Sequence, residues 1–292
     1  AQSMTIRTRG ERIFNVINII IVAFVGMLCL APFIHVIAKS FSGNMPLVLK
    51  KVYFWPKEFQ WNNYSFVLNN KQYLISMKNS VIITVSGTVL SMIITFLTAF
   101  VFTRQNMPFQ KLYVGLFIFT MFFGGGIIPT YLLFSKVELL DTYWVLILPG
   151  GVGVFNIILM RNFMESISPS LEESARIDGA SNMTILFRII LPLSIPAIAT
   201  ISLFFAVGKW NAYFNAVIYT TRKDLMPIQL YLRNILQNLD LLAEEDPEQL
   251  AYVSTEGVRA STTISAILPI LCVYPFLQKY FVGGMMIGAV KE

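Results

Sequence analysis

A chain of 292 residues that is 55% hydrophobic and only 13% charged cannot clothe a water-facing surface, since soluble domains carry about 25% charged residues. It reads as an all-α integral membrane protein with one transmembrane domain over 1–292. The net charge of +6 sits at segment ends rather than in a basic stripe interleaved with aromatics, which excludes nucleic acid as a partner. Cys29 and Cys272 lie in apolar runs as expected buried thiols, and with the single His35 they form no metal pattern.

The chain opens with Arg7, Arg9 and Arg12 ahead of an apolar run over 13–38. A cleaved signal has an apolar core of about 7–15 residues, so this run reads as a spanning helix that stays. Further windows at 78–103, 111–134, 143–164, 188–219 and 261–283 also reach the roughly 20 mostly apolar residues that cross a bilayer. Six spans are therefore expected.

Several windows are interrupted. Gly124, Gly125, Gly126 and Pro129 break the third, and Pro149, Gly150, Gly151 and Gly153 the fourth. Pro192 and Pro196 mark the start of the fifth, and Pro269 and Pro275 lie within the sixth. Hydrocarbon tolerates such breaks where neighbouring helices or a water-filled cavity satisfy the freed backbone groups, which predicts close packing around an internal path. Glycines that merely let helices approach one another are the alternative at each site.

With six spans, the N-terminal arginines, Arg104 and Lys111, and Arg161, Arg176 and Arg188 fall on one side. Basic residues favour the cytoplasm, so both termini are expected there. Lys50, Lys51, Lys57, Arg222 and Lys223 fall on the other side, in outer loops at 39–77 and 220–260 whose length weakens the rule. The first loop mixes aromatic and polar residues. The second has helical spacing at Ile228, Leu232, Ile235 and Leu239, then an acidic cluster of Glu244, Glu245, Asp246 and Glu248. That pattern suits either a helix lying flat on the outer surface or a docking face for a soluble partner.

The chain carries no engine of its own. It lacks a G-x-x-x-x-G-K-[ST] phosphate loop, and Gly208-Lys209 is followed by Trp210 inside a span. There is no G-x-S-x-G elbow and no paired histidine. The spans are essentially without Asp or Glu, the usual carriers of a proton relay. Energy for moving a solute has to come from another subunit.

Against this background "EESARIDGASNMTILFRIILPLSIPAI", from Glu172 to Ile198, is conspicuous for its charges. Ser170 with Glu173 reads as a capping box, and Glu172 with Arg176 as a surface pair four residues apart. Gly179 supplies a left-handed terminator, and Ser181 can start the next helix. Local rules alone describe a well-capped surface loop.

The same stretch resembles the EAA loop of permease subunits in binding-protein-dependent ABC importers. Glu173, Ala175, Gly179, Ile189, Leu191 and Pro192 fall in register with that motif, and Ser174 replaces its first alanine. The flanking "ARIDGAS" and "ILPLSIPAIAT", "KWNAYFNAVIY" in the fifth span, "MPIQLYLRNIL" and the C-terminal "QKYFVGGMMIGAVKE" resemble the carbohydrate branch. They look closest to the maltose G-subunit and LplC-like oligo- or polysaccharide permeases. The resemblance implies a MetI-like permease fold in a bacterial cytoplasmic (inner) membrane. It implies that loop 168–189 is a coupling helix seated in a cytoplasmic ATPase, with Glu172, Glu173, Ala175, Arg176, Asp178, Gly179 and Ala180 at the joint. It further implies a second, homologous permease subunit, two ABC ATPases that hold ATP and Mg, and an extracytoplasmic solute-binding protein. The chain itself is then not an enzyme and holds no cofactor or metal.

A saccharide path needs hydrogen-bonding groups and aromatic faces. Asn211 and Asn215, four apart with Trp210 and Tyr213 beside them, are expected to share a face of the fifth span, with Asn156 in the fourth and Tyr131 in the third. Each could instead make an ordinary interhelical hydrogen bond. An importer for another polar solute, or a scaffold or receptor docking a non-ATPase protein, would use the same scaffold.

Overall fold

The computed structural model describes residues 9–104, 106–237 and 253–289, and among these every regular element is helical. The acidic cluster Glu244, Glu245, Asp246 and Glu248, together with Leu239, lies outside the described residues. The chain divides into two compact units, Ala1–Asn70 with Asn234–Ser265, and Lys71–Arg233 with Ala266–Glu292.

The first unit begins with α1 (Arg9–Ser40), whose most apolar window has no buried residue. A helix that is apolar all round and unburied belongs in hydrocarbon. Beyond it, α2 (Asn44–Val48) and α3 (Asn62–Asn69) fold the first loop. Ala38, Leu47 and Val52 form a small core, and Phe41 stacks on Phe59 with ring centroids 5.4 Å apart. Asn63, fully buried, donates to the carbonyls of Ser40 (3.1 Å) and Ser42 (3.2 Å). A Cβ at Gly257 would sit 2.5 Å from its amide nitrogen, so only glycine lets that helix approach. His35 Nδ1 donates to the Tyr53 carbonyl at 2.7 Å.

In the second unit α4 (Lys71–Phe102) is the longest element and the packing centre. The third window forms α5 (Gln110–Phe122) and α6 (Ile127–Lys136), bent by 111° at the glycines. The fourth window is not one continuous helix. It forms α7 (Trp144–Ile147) and α8 (Val154–Glu165), separated by the Pro149–Gly153 break. Gly150 there has φ +71°, and a Cβ at Gly151 would meet the Leu148 carbonyl at 2.9 Å.

After α9 (Pro169–Ile177), the fifth window starts as α10 (Asn182–Ile185), passes through a π-helical turn at Leu186–Ile190 and a short α11 (Leu191–Leu193), and continues as α12 (Ile195–Asn211). The axis bends by 77° between Asn182–Leu193 and Ile195–Asn211. Pro192 and Pro196 each lack the N–H that would continue the ladder, and the π-turn absorbs the change of register. Next come α13 (Phe214–Tyr219), α14 (Ile228–Gln237) and α15 (Thr255–Ala289), with Ile228, Leu232 and Ile235 of α14 buried as their spacing requires.

Among the described residues, three helices are long and apolar enough to cross a membrane: Ile13–Ser40, Lys71–Phe102 and Thr255–Val273. Counting each bent pair as one crossing gives five. The fourth window holds no single helix of that length, because the Pro149–Gly153 break divides it into α7 and α8. Cys29 and Cys272 are exposed rather than buried, since each sits on an outward face of such a helix.

The core of the second unit joins Met92, Phe96 and Phe100 of α4, Ile157, Met160 and Met164 of α8, Ile185, Leu186 and Ile190, and Ile201 and Phe205 of α12. Among the described residues of this unit, one charged residue is buried. Lys209, 8% exposed, donates to the carbonyls of Ile147 (2.5 Å) and Pro149 (2.8 Å). Those carbonyls are freed by the end of α7, so α12 supplies the donor that the broken fourth window requires.

Candidate functional site

The segment following α8 is built as two helices around a tight turn. Pro169 occupies the first helical position of α9, where a missing N–H is harmless. That places Ser168, not Ser170, at the N-cap. The two hydroxyls bond each other at 2.7 Å, and the expected Ser170–Glu173 capping box does not form. At the other end Gly179 has φ +79°. Its N–H donates to the Arg176 carbonyl (3.0 Å) and that of Ala180 to the Ala175 carbonyl (2.9 Å), the pair of bonds that closes a Schellman motif. Ser181 then caps α10, accepting from the Thr184 N–H at 3.2 Å.

The seven loop residues divide between two faces. Ala175 and Ala180 pack against the core of the second unit. Glu172 also turns inward. Rather than pairing with Arg176, it meets the guanidinium of Arg104 with two bonds of 2.5 and 3.0 Å. Arg176 donates instead to the Asn182 side-chain carbonyl at 3.0 Å, across the turn. Glu173, Asp178 and Gly179 are exposed, and Ile177 between them is 87% exposed. Nothing lies within 4 Å of a Cβ built on Gly179. One side of the loop is therefore fastened to the bundle. The other presents a carboxylate, an isoleucine and an unobstructed turn.

The residues expected along a solute path are less unified. The helix ends at Asn211, and Ala212 is extended (φ −72°, ψ 119°). Asn211 and Asn215 thus lie on either side of a break and do not share one helical face. Trp210 is buried and its indole N–H donates to the Ala266 carbonyl at 3.2 Å. Tyr213 is exposed, with Arg233 over its ring at 5.1 Å. Tyr131 lies 6.2 Å from Tyr219, centroid to centroid. Asn156 is half-buried beside Gly153. A cleft of about 570 Å³ between α5 and α8, lined by Leu116, Phe117, Met121 and Phe155 among others, has Thr120 as its one hydroxyl. Such a lining offers a saccharide few hydrogen bonds.

Residues outside these sets fix the far end of α4. Asn79, 1% exposed, donates to the carbonyls of Asp224 (2.7 Å) and Met226 (3.1 Å) and accepts from the Tyr143 hydroxyl (2.6 Å). Asp141 accepts from the Thr221 amide (2.6 Å) and hydroxyl (2.9 Å) and from the Arg222 amide (3.2 Å). These bonds, with that from the Thr221 amide the largest, hold its carboxyl below the usual carboxylate range. Neither residue is marked by sequence spacing. An asparagine in an apolar window and an acid beside a turn were the available signals.

Residues 80–286 match the model for binding-protein-dependent transport system inner membrane components. Protein LplC of Bacillus subtilis is 42% identical over 285 residues, covering 97% of each chain. The polygalacturonan/rhamnogalacturonan transport system permease protein YtcP of the same organism is 39% identical over 284 residues, covering 96% of this chain and 99% of its own. A solved chain from a bacterial ABC transporter that imports the acidic polysaccharide alginate superposes with a TM-score of 0.89 at 33% identity, covering 95% of this chain and 100% of that one. The fold and the matched residues together show that this chain belongs to the family of inner membrane components of binding-protein-dependent transport systems.

Proposed function

We propose that the chain is a permease subunit of an ABC importer, forming half of a translocation path for an oligo- or polysaccharide. It couples to cytoplasmic ATPases through loop 168–189, with both termini on the same cytoplasmic side. A second permease subunit completes the path, two ATPases hold ATP and Mg, and an extracytoplasmic binding protein delivers the saccharide. The observation that carries the coupling role is the division of the loop into two faces, Glu172, Ala175 and Ala180 inward and Glu173, Ile177, Asp178 and Gly179 outward. An isoleucine 87% exposed beside an open glycine, on the side turned away from the bundle, supports a docking face.

The saccharide assignment rests on the substrates named for the relatives, polygalacturonan and alginate. Both are polymers of uronic acids, so acidic oligosaccharides are the first to try. The experiment is co-purification of the chain with its partner subunits, followed by ATPase and uptake assays in proteoliposomes with binding protein and candidate saccharides. Stimulation by uronate oligosaccharides supports the assignment, and stimulation only by neutral sugars or another polar solute replaces it. Failure to retain any ATPase favours a scaffold or receptor instead.

A further inference from the structure

We propose that the Arg104–Glu172 pair is the mechanical link that carries motion of the coupling loop into α4, a positioning role that rests on the coupling reading above. Glu172 then faces the bundle, leaving Glu173 as the carboxylate available for docking.

The geometry is that of a fixed joint. Arg104 lies two residues past the end of α4, and its N–H donates to the Val101 carbonyl at 3.1 Å, which ties it to the last turn of the helix. Thr103 Oγ1 caps the Phe100 carbonyl (2.7 Å) and Gln110 Nε2 the Phe102 carbonyl (2.5 Å), which stiffens the same turn. The guanidinium lies over the Phe100 ring at 4.0 Å, and Phe100 is part of the core. Its two terminal nitrogens meet the two carboxylate oxygens of Glu172 in parallel. Each side chain is 23% exposed, so solvent screens the pair less than a surface one. A planar two-bond fork resists rotation and sliding, which a single ammonium contact does not.

The loop's other side-chain attachments, Ile167, Ala175, Ala180 and Ile185, are apolar contacts with the core, and apolar contact is non-directional. The chain itself joins the loop to α8 and α10, so the fork is its directional tie to α4. A pull on the exposed face of the loop reaches α4 through that fork. From α4 it spreads to α8 and α12, the two helices that share its core.

The test uses the whole complex with partner permease, ATPases and binding protein, in proteoliposomes. Arg104→Glu and Glu172→Arg should keep the ATPases bound at wild-type stoichiometry, while solute moved per ATP hydrolysed falls by about tenfold, the factor expected from losing about 1.4 kcal/mol of coupling. The exchanged double variant should recover most of that ratio. Arg104→Lys, which keeps the charge but not the fork, should fall between wild type and Arg104→Glu. Unchanged ratios in the single variants overturn the proposal, as does loss of ATPase from them, which would make the pair a docking element only. A second measurement is independent of the charge exchange. Cysteines at 104 and 172, in a background lacking Cys29 and Cys272, remove the fork and should lower the ratio, and bridging them with a bifunctional thiol reagent that spans the lost side chains should restore it. A bridged pair that leaves the ratio low overturns the link. Failure of the coupling reading itself shows separately, as full ATPase binding and uptake in Gly179→Asp.

Discussion

The aliphatic stem of Lys209 lies across Gly87, so close that a Cβ on the glycine would sit 3.1 Å from the nearest methylene. The contact lets α4 and α12 approach while the ammonium reaches the carbonyls at the end of α7. Gly87→Ala should be tolerated with a small shift of the stem. Gly87→Leu should displace it and destabilise the subunit by about 1–3 kcal/mol, the usual range for overpacking. Thermal unfolding of the solubilised complex checks the order wild type, Ala, Leu.

Lys209→Met keeps length and volume but removes the donor. The carbonyls of Ile147 and Pro149 would lose the donor that α12 provides, and a buried unsatisfied group costs about 1–3 kcal/mol. The expected result is faster thiol labelling of a cysteine introduced at Val152, within the Pro149–Gly153 break, with α4 unaffected. Equal protection in Lys209→Met and wild type would show that other donors satisfy the break.

Asn79→Leu should be at least as severe, since it strips partners from the Asp224 and Met226 carbonyls and from the Tyr143 hydroxyl together. A loss of about 2–4 kcal/mol is expected for a broken buried network of this kind. Tyr143→Phe removes only one of the three bonds and should cost about 1 kcal/mol. A double-mutant cycle with thermal or denaturant unfolding separates the shared bond from the rest.

The Asp141 carboxyl titrates below its ordinary value because the folded loop bonds the charged form. The stabilisation is therefore complete above the unfolded carboxylate value of about 4 and is lost as pH falls through the lower folded one. Amides of Thr221 and Arg222 should lose protection, relative to their intrinsic exchange rates, in acid. Asp141→Asn should abolish that pH dependence, since the neutral amide has no proton to gain over this range. Hydrogen exchange read by mass spectrometry measures both.

What the sequence made legible were features whose signal is local. Gly179 and Ser181 act through bonds within five residues, and each terminates or starts a helix as its residue type requires. The breaks in the third and fifth windows also sit where they were expected, whereas in the fourth they divide the helix in two, and α15 runs unbroken through Pro269 and Pro275. The misses follow from distance or competition. Pro169 outcompetes Ser170 for the position that sets the cap, because proline is tolerated only at the very start of a helix. Glu172 finds a partner 68 residues away in preference to one four residues away, since a partly buried fork is stronger than an exposed helical pair. The break after Asn211 has neither proline nor glycine to announce it. It separates Asn211 from Asn215 against a periodicity that suggested one face.

Asn211 and Asn215 can still border a solute path from two short elements. Cysteines at each position, in a background lacking Cys29 and Cys272, should label with a small water-soluble thiol reagent in at least one nucleotide state. Trp210→Cys should not, because its ring is buried against the Ala266 carbonyl. Protection of both asparagine positions in every state would remove the fifth window from the path.

The central claim is that the exposed side of loop 168–189 seats an ATPase, and Gly179 tests it most directly. Its φ of +79° disfavours a side chain by about 1 kcal/mol, least for Asp and Asn, which enter that region most readily. Apart from its two chain neighbours, no described residue has an atom within 4 Å of the new Cβ, so Gly179→Asp has little to disturb within the subunit. The measurement is ATPase recovery on purification, run in parallel with solute uptake at matched membrane levels of the permease. The account predicts that Gly179→Asp inserts normally but loses ATPase and uptake together, while Glu173→Ala moves in the same direction more mildly. Full ATPase recovery with normal uptake in Gly179→Asp would contradict it.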